Sequence, residues 1–411
     1  MLPRKITITA RTNSRYEYKN VLNHVNDVHD WRDEYHDLFA SKFGFKYVYS
    51  FSAGRTALYV ILKSLDIGEG DEIVLQGYTC AAVPKPIILC GATPVYIDIL
   101  KDDYSMDYSM LEKSITSKTR AVIVQHTYGI PSSSVDKIRQ FCDDKGLILI
   151  EDCAHAIGVY DEQGRVVGSV GDVAFYSTDH TKIMSTSIGG LVATNNGNIG
   201  EKLNNFYLKT PELSDNEELS VAKQFRLFYL MYGKWLYWLF DLNFITQLLR
   251  GYIYKFFMGK NKFFFMEDFC NFNNSDYTFP AKLSNVQAWI GINQLKDIDG
   301  NINGRRNVLK WYNKYLSKEK QSKYSPMLVY PIEVNDTQAV IRKLRNICRV
   351  ERMFSLPIHC IQESELELFK LDLEDVPIAV DTCEHIINLP MNPSLSEREV
   401  AKICKIVNNS I

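Results

Sequence analysis

The stretch Leu147-Ile148-Leu149-Ile150-Glu151-Asp152, opened by Gly146, narrows the fold of this chain more than any other. A short unbroken apolar run fits a strand buried on both faces, as in the centre of a parallel sheet. Asp152 then ends that strand at its carboxyl side, where open α/β sheets place their ligands. After it come Cys153-Ala154-His155-Ala156, a loop with Gly168 and Gly171, and a second strand from Asp172 to Thr178. Lys182 and the pair Gly189-Gly190 follow. Segments 73–76, 94–97, 121–125, 147–152, 173–176 and 191–194 read as strands alternating with helical patterns. Such alternation implies βαβ units and a mainly parallel sheet.

The chain has 411 residues, enough for two or three domains on length alone. A net charge of -2 gives no electrostatic reason for nucleic-acid binding. Nine scattered cysteines (80, 90, 142, 153, 270, 348, 360, 383, 404) form no CxxC pair, so neither a disulfide framework nor a zinc site is expected. A reducing cytoplasm suits such usage, and the N-terminus lacks the apolar core of a signal peptide. His24, His29 and His36 are too irregularly spaced for a metal site and read as solvated; no metal is expected.

Residues 279–316 read as one long helix entered through Pro280. Ser396 and Glu399 have capping-box spacing for a last helix. The expected division is a large cofactor-holding domain over 1–285, then the long helix and a smaller C-terminal α+β domain over 286–411. One segment breaks the pattern. Residues 225–265 are dense in aromatics and carry Arg226, Lys234, Arg250, Lys255, Lys260 and Lys262 against the single acid Asp241. Charges interrupt it too often for a transmembrane helix. Its composition suits either an interfacial helix on an anionic leaflet or a packing surface on the parent domain or a partner subunit.

Asp152 and Lys182 on neighbouring strand ends supply what pyridoxal 5'-phosphate (PLP) chemistry requires: an amine that bonds the cofactor aldehyde, and an anion for the ring nitrogen. The lysine has two tasks, holding the cofactor covalently and, once displaced, moving a proton at the substrate carbon. A buried aspartate beside the ring nitrogen keeps it protonated. Helix N-termini cradle phosphate, and Ser52-Ala53-Gly54-Arg55-Thr56-Ala57-Leu58 supplies a small-residue turn into an apolar helical stretch. Gly54 permits close approach, Arg55 or Thr56 could bind phosphate oxygens, and Ser177 could add a hydroxyl. Cys153 reads as a small packing residue. Tyr78, His126 and Tyr128 are substrate-contact candidates, with loop support as the other reading of His126 and Tyr128.

Several motifs together resemble the DegT/DnrJ/EryC1/StrS family of PLP-dependent sugar aminotransferases. They are Glu151-Asp152-Cys153-Ala154-His155-Ala156, Gly168-Ser169-Val170-Gly171-Asp172, Ser177, and the spacing from Thr181-Lys182 to Gly189-Gly190. Gly91-Ala92-Thr93-Pro94-Val95-Tyr96-Ile97-Asp98, His126-Thr127-Tyr128-Gly129, Gln287-Ala288, Gln294-Leu295 and Leu389-Pro390-Met391-Asn392-Pro393 extend the likeness from about residue 45 to the end. The resemblance implies a fold-type I transferase, a homodimer with interfacial active sites, and amino transfer, typically from glutamate, to a keto sugar that is often nucleotide-linked. By position it implies Lys182 as the cofactor-bonding lysine, Asp152 on the pyridine nitrogen, and His155 near the phenolic oxygen. The phosphate would lie on Ser177 with Gly54 to Thr56. The retained Lys182 counts against the dehydratase branch, in which histidine replaces this lysine.

There are departures. Arg55 stands where a small hydroxyl residue is common, and Cys80 where an aromatic usually stacks on the cofactor ring. The approach to the lysine is Thr178-Asp179-His180-Thr181, and Ser187-Ile188 replaces the usual Gly-Glu. Pro280-Ala281-Lys282-Leu283 stands where an Asn-Tyr-Arg motif commonly reaches the partner subunit. The expected function is amino transfer to a nucleotide-linked keto sugar in cell-surface polysaccharide or glycoconjugate synthesis. The alternatives are PLP-dependent sugar dehydration or epimerisation, or a catalytically silent scaffold in a glycan-assembly complex.

Overall fold

The computed structural model describes residues 15–25, 27–231, 270, 278–322, 324–345, 347–348, 350 and 352–409. Seven strands build the main sheet: β1 (Tyr47–Phe51), β2 (Glu72–Gln76), β4 (Thr93–Ile97), β5 (Thr119–Gln125), β6 (Ile148–Asp152), β7 (Val173–Ser177) and β8 (Gly190–Thr194). Their order is β1-β8-β7-β6-β5-β2-β4. The β4, β2, β5, β6 and β7 neighbours pair in parallel, and β8 runs antiparallel to both β7 and β1. The sheet is thus mainly parallel, as the alternating runs predict.

Side chains alternate across a strand, so β2, β5 and β6 each feed two cores. Ile73, Leu75, Ala121, Ile123 and Ile150 pack on one face with Ala57, Val60 and Ile61. Val74, Val122, Val124 and Leu149 pack on the other with Val135, Ile138 and Phe141. Burial on both faces explains why β7 and β8 have no exposed position. The β1 strand escaped the sequence reading. Its Tyr-Val-Tyr-Ser-Phe run becomes a strand through pairing with β8, far along the chain, with Phe51 opposite Gly190.

The expected long helix over 279–316 is instead two helices, Asn285–Lys296 and Ile298–Tyr315, which meet at Asp297. The entry is also corrected. Residues 281–283 lie extended along β1, with Ser52 N-H donating to Ala281 O (3.0 Å) and Leu283 N-H to Ser50 O (3.1 Å). The helix begins only after Ser284, which forms a reciprocal capping box with Gln287.

A third core joins Val308, Tyr312, Tyr330, Ile387, Leu389, Val400 and Ile403. It lies around the antiparallel pair of β9 (Val329–Glu333) and β11 (Ile386–Pro390) and the helix Glu397–Asn408. Ser396 caps that helix together with Glu399, as the spacing predicts. A third, very short sheet pairs β3 (Thr79–Cys80) in parallel with β10 (Ile358–His359). The aromatic and basic stretch lies outside the described residues beyond Met231. No helix among the described residues is long and apolar enough to cross a membrane.

Candidate functional site

Topology brings one edge of the sheet to a focus. The carboxyl ends of β1, β6 and β7 and the start of β8 lie together, because Phe51 and Ser177 both pair with Gly190 and Phe175 pairs with Asp152. From these ends come the Ser52–Thr56 turn, Asp152, Ser177 and the loop that carries Lys182.

The turn after β1 opens the helix Gly54–Ser64, whose N-cap Ala53 offers no side chain to its first N-H groups. Those donors and the positive end of the helix dipole suit an anion. Ser177 stands directly against this turn: a Cβ on Gly54 would lie 3.1 Å from the Ser177 Cβ. A Cβ on Gly190 would lie 2.6 Å from the backbone of Ala53 and Gly54. Close approach therefore requires glycine at 190, while at 54 a Cβ would press on the Ser177 side chain. Arg55 is half-buried in the first turn, and Thr56 is buried with its hydroxyl 3.1 Å from Ser52 Oγ.

Asp152 is buried and accepts one backbone N-H, from Ala154 at 2.9 Å. Burial lifts its carboxyl to about 6, although Lys182 and His126 pull the other way. A cation placed against it would restore ionisation.

Lys182 sits in a loop pinned at several points. Thr178 N-H donates to Gly189 O (2.8 Å), His180 N-H to Ser187 O (3.0 Å) and Asn301 Nδ2 to Ile183 O (2.8 Å). The buried Gln287 amide donates to Ile188 O. Asp152, His155, Asp179, His359, Cys80 and Cys360 all lie near enough to feel the Lys182 charge.

His155 is buried, and burial, then the charges of Lys182 and His359, hold its imidazole neutral. Its Nδ1 lies 3.2 Å from the donating Tyr128 N-H, which leaves Nε2 to carry the proton. Three residues of this group were not singled out as site residues in the sequence. Asp179 pairs with His180 Nδ1 (2.9 Å) and accepts from Thr181 N-H and Oγ1; against its burial, His180 and Lys182 keep it well below the usual carboxylate range. His359 and Cys360 arrive through β10, a pairing too short to leave a sequence pattern.

The other candidates border this focus, with His126 N-H donating to Asp152 O (3.1 Å) and Tyr128 N-H to His155 Nδ1. Tyr78, His126 and Tyr128 are buried, and their polar atoms meet other groups of the protein. Tyr78 and Tyr128 pair hydroxyl to hydroxyl at 2.5 Å, and Phe354 touches both rings as well as His155 and His359. His126 Nδ1 accepts from Ser132 N-H (3.0 Å), so Nε2 donates to Glu151 (2.9 Å).

Glu151 also accepts from the N-H groups of Gly168, Val170 and Gly171, which fixes the loop between β6 and β7. His126, Glu151 and Cys153 are close enough together to hold a metal, but the Glu151 oxygens already accept these hydrogen bonds. Cys80 is half-buried beside Lys182 and Asp152. His36, read as solvated, is buried instead: its Nε2 lies 2.8 Å from Ser50 Oγ, and burial pushes it down to about 4.

Comparison with known proteins adds an independent finding. The model of the DegT/DnrJ/EryC1/StrS aminotransferase family matches residues 20–222 and 259–408. The gap, 223–258, overlaps most of the aromatic and basic stretch. GDP-perosamine synthase of Escherichia coli O157:H7 is 26% identical over 93% of this chain and 91% of its own length. Among solved structures, Helicobacter pylori PseC, an aminotransferase involved in pseudoaminic acid biosynthesis, superposes with a TM-score of 0.72. It is 19% identical and covers 99% of both chains. NtdA of Bacillus subtilis, with bound cofactor PMP, gives a TM-score of 0.67 at 20% identity, covering 97% of this chain and 83% of its own.

Proposed function

The chain belongs to the DegT/DnrJ/EryC1/StrS aminotransferase family, and on that footing we propose that it moves an amino group, with glutamate as donor, onto a nucleotide-linked keto sugar in polysaccharide or glycoconjugate synthesis, with PLP as cofactor. The observation that carries this reading is the convergence of Asp152, Lys182, and the Gly54–Ser177 cradle on one sheet edge. The residues fit the cofactor. The uncapped helix start and the two close glycine approaches offer an anion cradle, and the buried Asp152 has a suppressed ionisation that a cationic ring nitrogen would relieve.

When bound, PLP supplies an aldehyde that takes up amino groups and a ring that holds the electron pair released at the substrate carbon. Lys182 Nζ holds the cofactor and, when free, carries the proton to and from that carbon. Asp152 supplies the anion for the ring nitrogen. With its Nδ1 accepting from Tyr128, His155 would offer its Nε2 proton to the phenolic oxygen, and Gly54, Arg55, Thr56 and Ser177 would hold the phosphate. Cys80 takes the place of a ring-stacking aromatic. Asp179, next to the lysine loop, adds a negative charge that a substrate hydroxyl or ammonium can meet. The working unit is a homodimer in this reading, with the second copy completing each site. The 225–265 stretch begins by packing on its own domain, where Phe225, Leu227 and Phe228 are buried, and its six basic residues against one acid suit contact of the remainder with a partner subunit or an anionic membrane face.

The test is direct. Purified protein with PLP and glutamate should aminate one of a panel of GDP-, UDP- or dTDP-linked keto sugars, read as product mass. Protein that binds PLP yet takes an amino group from no donor defeats the proposal, and a deoxysugar product would favour dehydration. Sedimentation with anionic vesicles at low salt tests the membrane contact, and full recovery in the supernatant would end it.

A further inference from the structure

We propose that Cys80 and Cys360 form a redox-modification site, in which a peroxide oxidises Cys80 and Cys360 closes a disulfide beside the cofactor pocket, shutting off amino transfer. The effect on activity rests on the function proposed above; the cross-link itself does not.

The geometry comes from the short β3·β10 pair. Its parallel register puts His359 opposite Cys80, with Thr79 N-H donating to Pro357 O (2.8 Å) and Ala81 N-H to His359 O (3.0 Å). Cys360 is therefore one step from the residue facing Cys80. Neighbouring strands run about 5 Å apart, inside the ~4.4–6.8 Å Cα separation that a disulfide accepts. In a continuing strand the Cys360 side chain would point to the opposite face. It does not, because Cys360 leaves the extended conformation at φ +73°. The Cys80 and Cys360 side chains interact. Both are free thiols, and Cys360 is exposed while Cys142, Cys153, Cys348, Cys383 and Cys404 are buried.

The surroundings divide the labour between the sulfurs. The backbone N-H of Ala82 is directed at the Cys80 sulfur, which favours its thiolate beside the Lys182 charge, while Cys360 stands exposed next to it. Cys80 is thus the attacking thiolate and Cys360 the resolving thiol. Cys80 Sγ attacks one oxygen of hydrogen peroxide, and the O-O bond breaks. This leaves a sulfenic acid on Cys80 and a hydroxide that takes up a proton as water. Cys360 Sγ then attacks the sulfenic sulfur; the S-S bond forms, the S-O bond breaks, and the hydroxide leaves with the thiol proton as a second water. Two thiols are oxidised and one peroxide is reduced.

The consequence follows from where Cys80 stands. Its sulfur lies near Asp152 and Lys182, where the family resemblance puts the contact on the cofactor ring. A bond to Cys360 draws that sulfur toward β10 and locks His359 with it.

The experiment uses the full-length, PLP-loaded protein treated with hydrogen peroxide, alkylated with iodoacetamide and digested without reductant. The expected result is one linked peptide pair joining positions 80 and 360, lighter by two hydrogens. It should accumulate in step with a loss of activity of roughly tenfold or more that dithiothreitol reverses. Cys360→Ser should form no linked pair and show no dithiothreitol-reversible loss relative to its own reduced rate. Separate alkylation of both cysteines after peroxide treatment overturns the proposal. So does a linked pair with full activity, or reversible inactivation of Cys360→Ser like that of wild type. If the reduced wild type transfers no amino group, the functional reading falls, while the peptide map still decides the cross-link.

Discussion

Glu151 and Asp152 are consecutive acids at the end of one strand, yet the two faces of the sheet put them to opposite uses. On one face Glu151 accepts hydrogen bonds from Gly168, Val170, Gly171 and His126, which saturate its carboxylate and close the loop to β7. On the other face Asp152 has a single backbone N-H and is lifted by burial to about 6. Strand alternation alone separates them. A saturated buried carboxylate builds structure, whereas an undersupplied one is held ready for a cation that the chain does not itself place there.

The largest effect expected from testing this contrast is at the Asp152 face. Lys182→Ala should lower amino transfer from glutamate by roughly 10³-fold or more and abolish the visible absorbance of the bound cofactor; retained absorbance would mean that another amine holds it. Asp152→Asn should cost roughly 10²-fold in turnover, and it separates the faces in a second way. The unfolded chain ionises this acid near the ordinary 3.8 and the folded chain only near 6. Cofactor-free wild type should therefore lose stability as pH rises through that window, by about 3 kcal/mol in full. Denaturant melts of the cofactor-free Asn variant should lack this fall, and parallel pH curves for the two proteins would contradict the burial argument.

At the Glu151 face the signature reverses. Glu151→Gln should cost about 2 kcal/mol of stability by disturbing the loop hydrogen bonds, with a far smaller loss of turnover than Asp152→Asn. A turnover defect as large as that of Asp152→Asn, in protein that melts normally, would erase the distinction. The smallest effect is expected at Tyr78→Phe, about 1 kcal/mol from the lost hydroxyl pair with Tyr128. The KM for the sugar should stay unchanged, and a raised KM would make Tyr78 a substrate contact after all.

The two faces also differ in how far the sequence discloses them. Asp152, Lys182 and the Gly54 turn are legible because an apolar run, a glycine pair and a small-residue helix start are local patterns. The Glu151 clamp is half visible, since Gly168 and Gly171 mark a turn but nothing local says which acid it embraces. His359 and Cys360 are invisible, because two-residue strands leave no period and their partner lies far back in the chain. Long-range pairing hides β1 in the same way. The long helix expected over 279–316 failed for a related reason: residues 281–283 are drawn into extended pairing with β1, a preference set by tertiary contact and not by local propensity.

The account stands on Lys182 Nζ being the amine that holds PLP. Sodium borohydride treatment of the PLP-loaded protein, followed by peptide mapping, should leave a pyridoxyl group on the peptide containing position 182 and on no other lysine. A label elsewhere, or none, would contradict it.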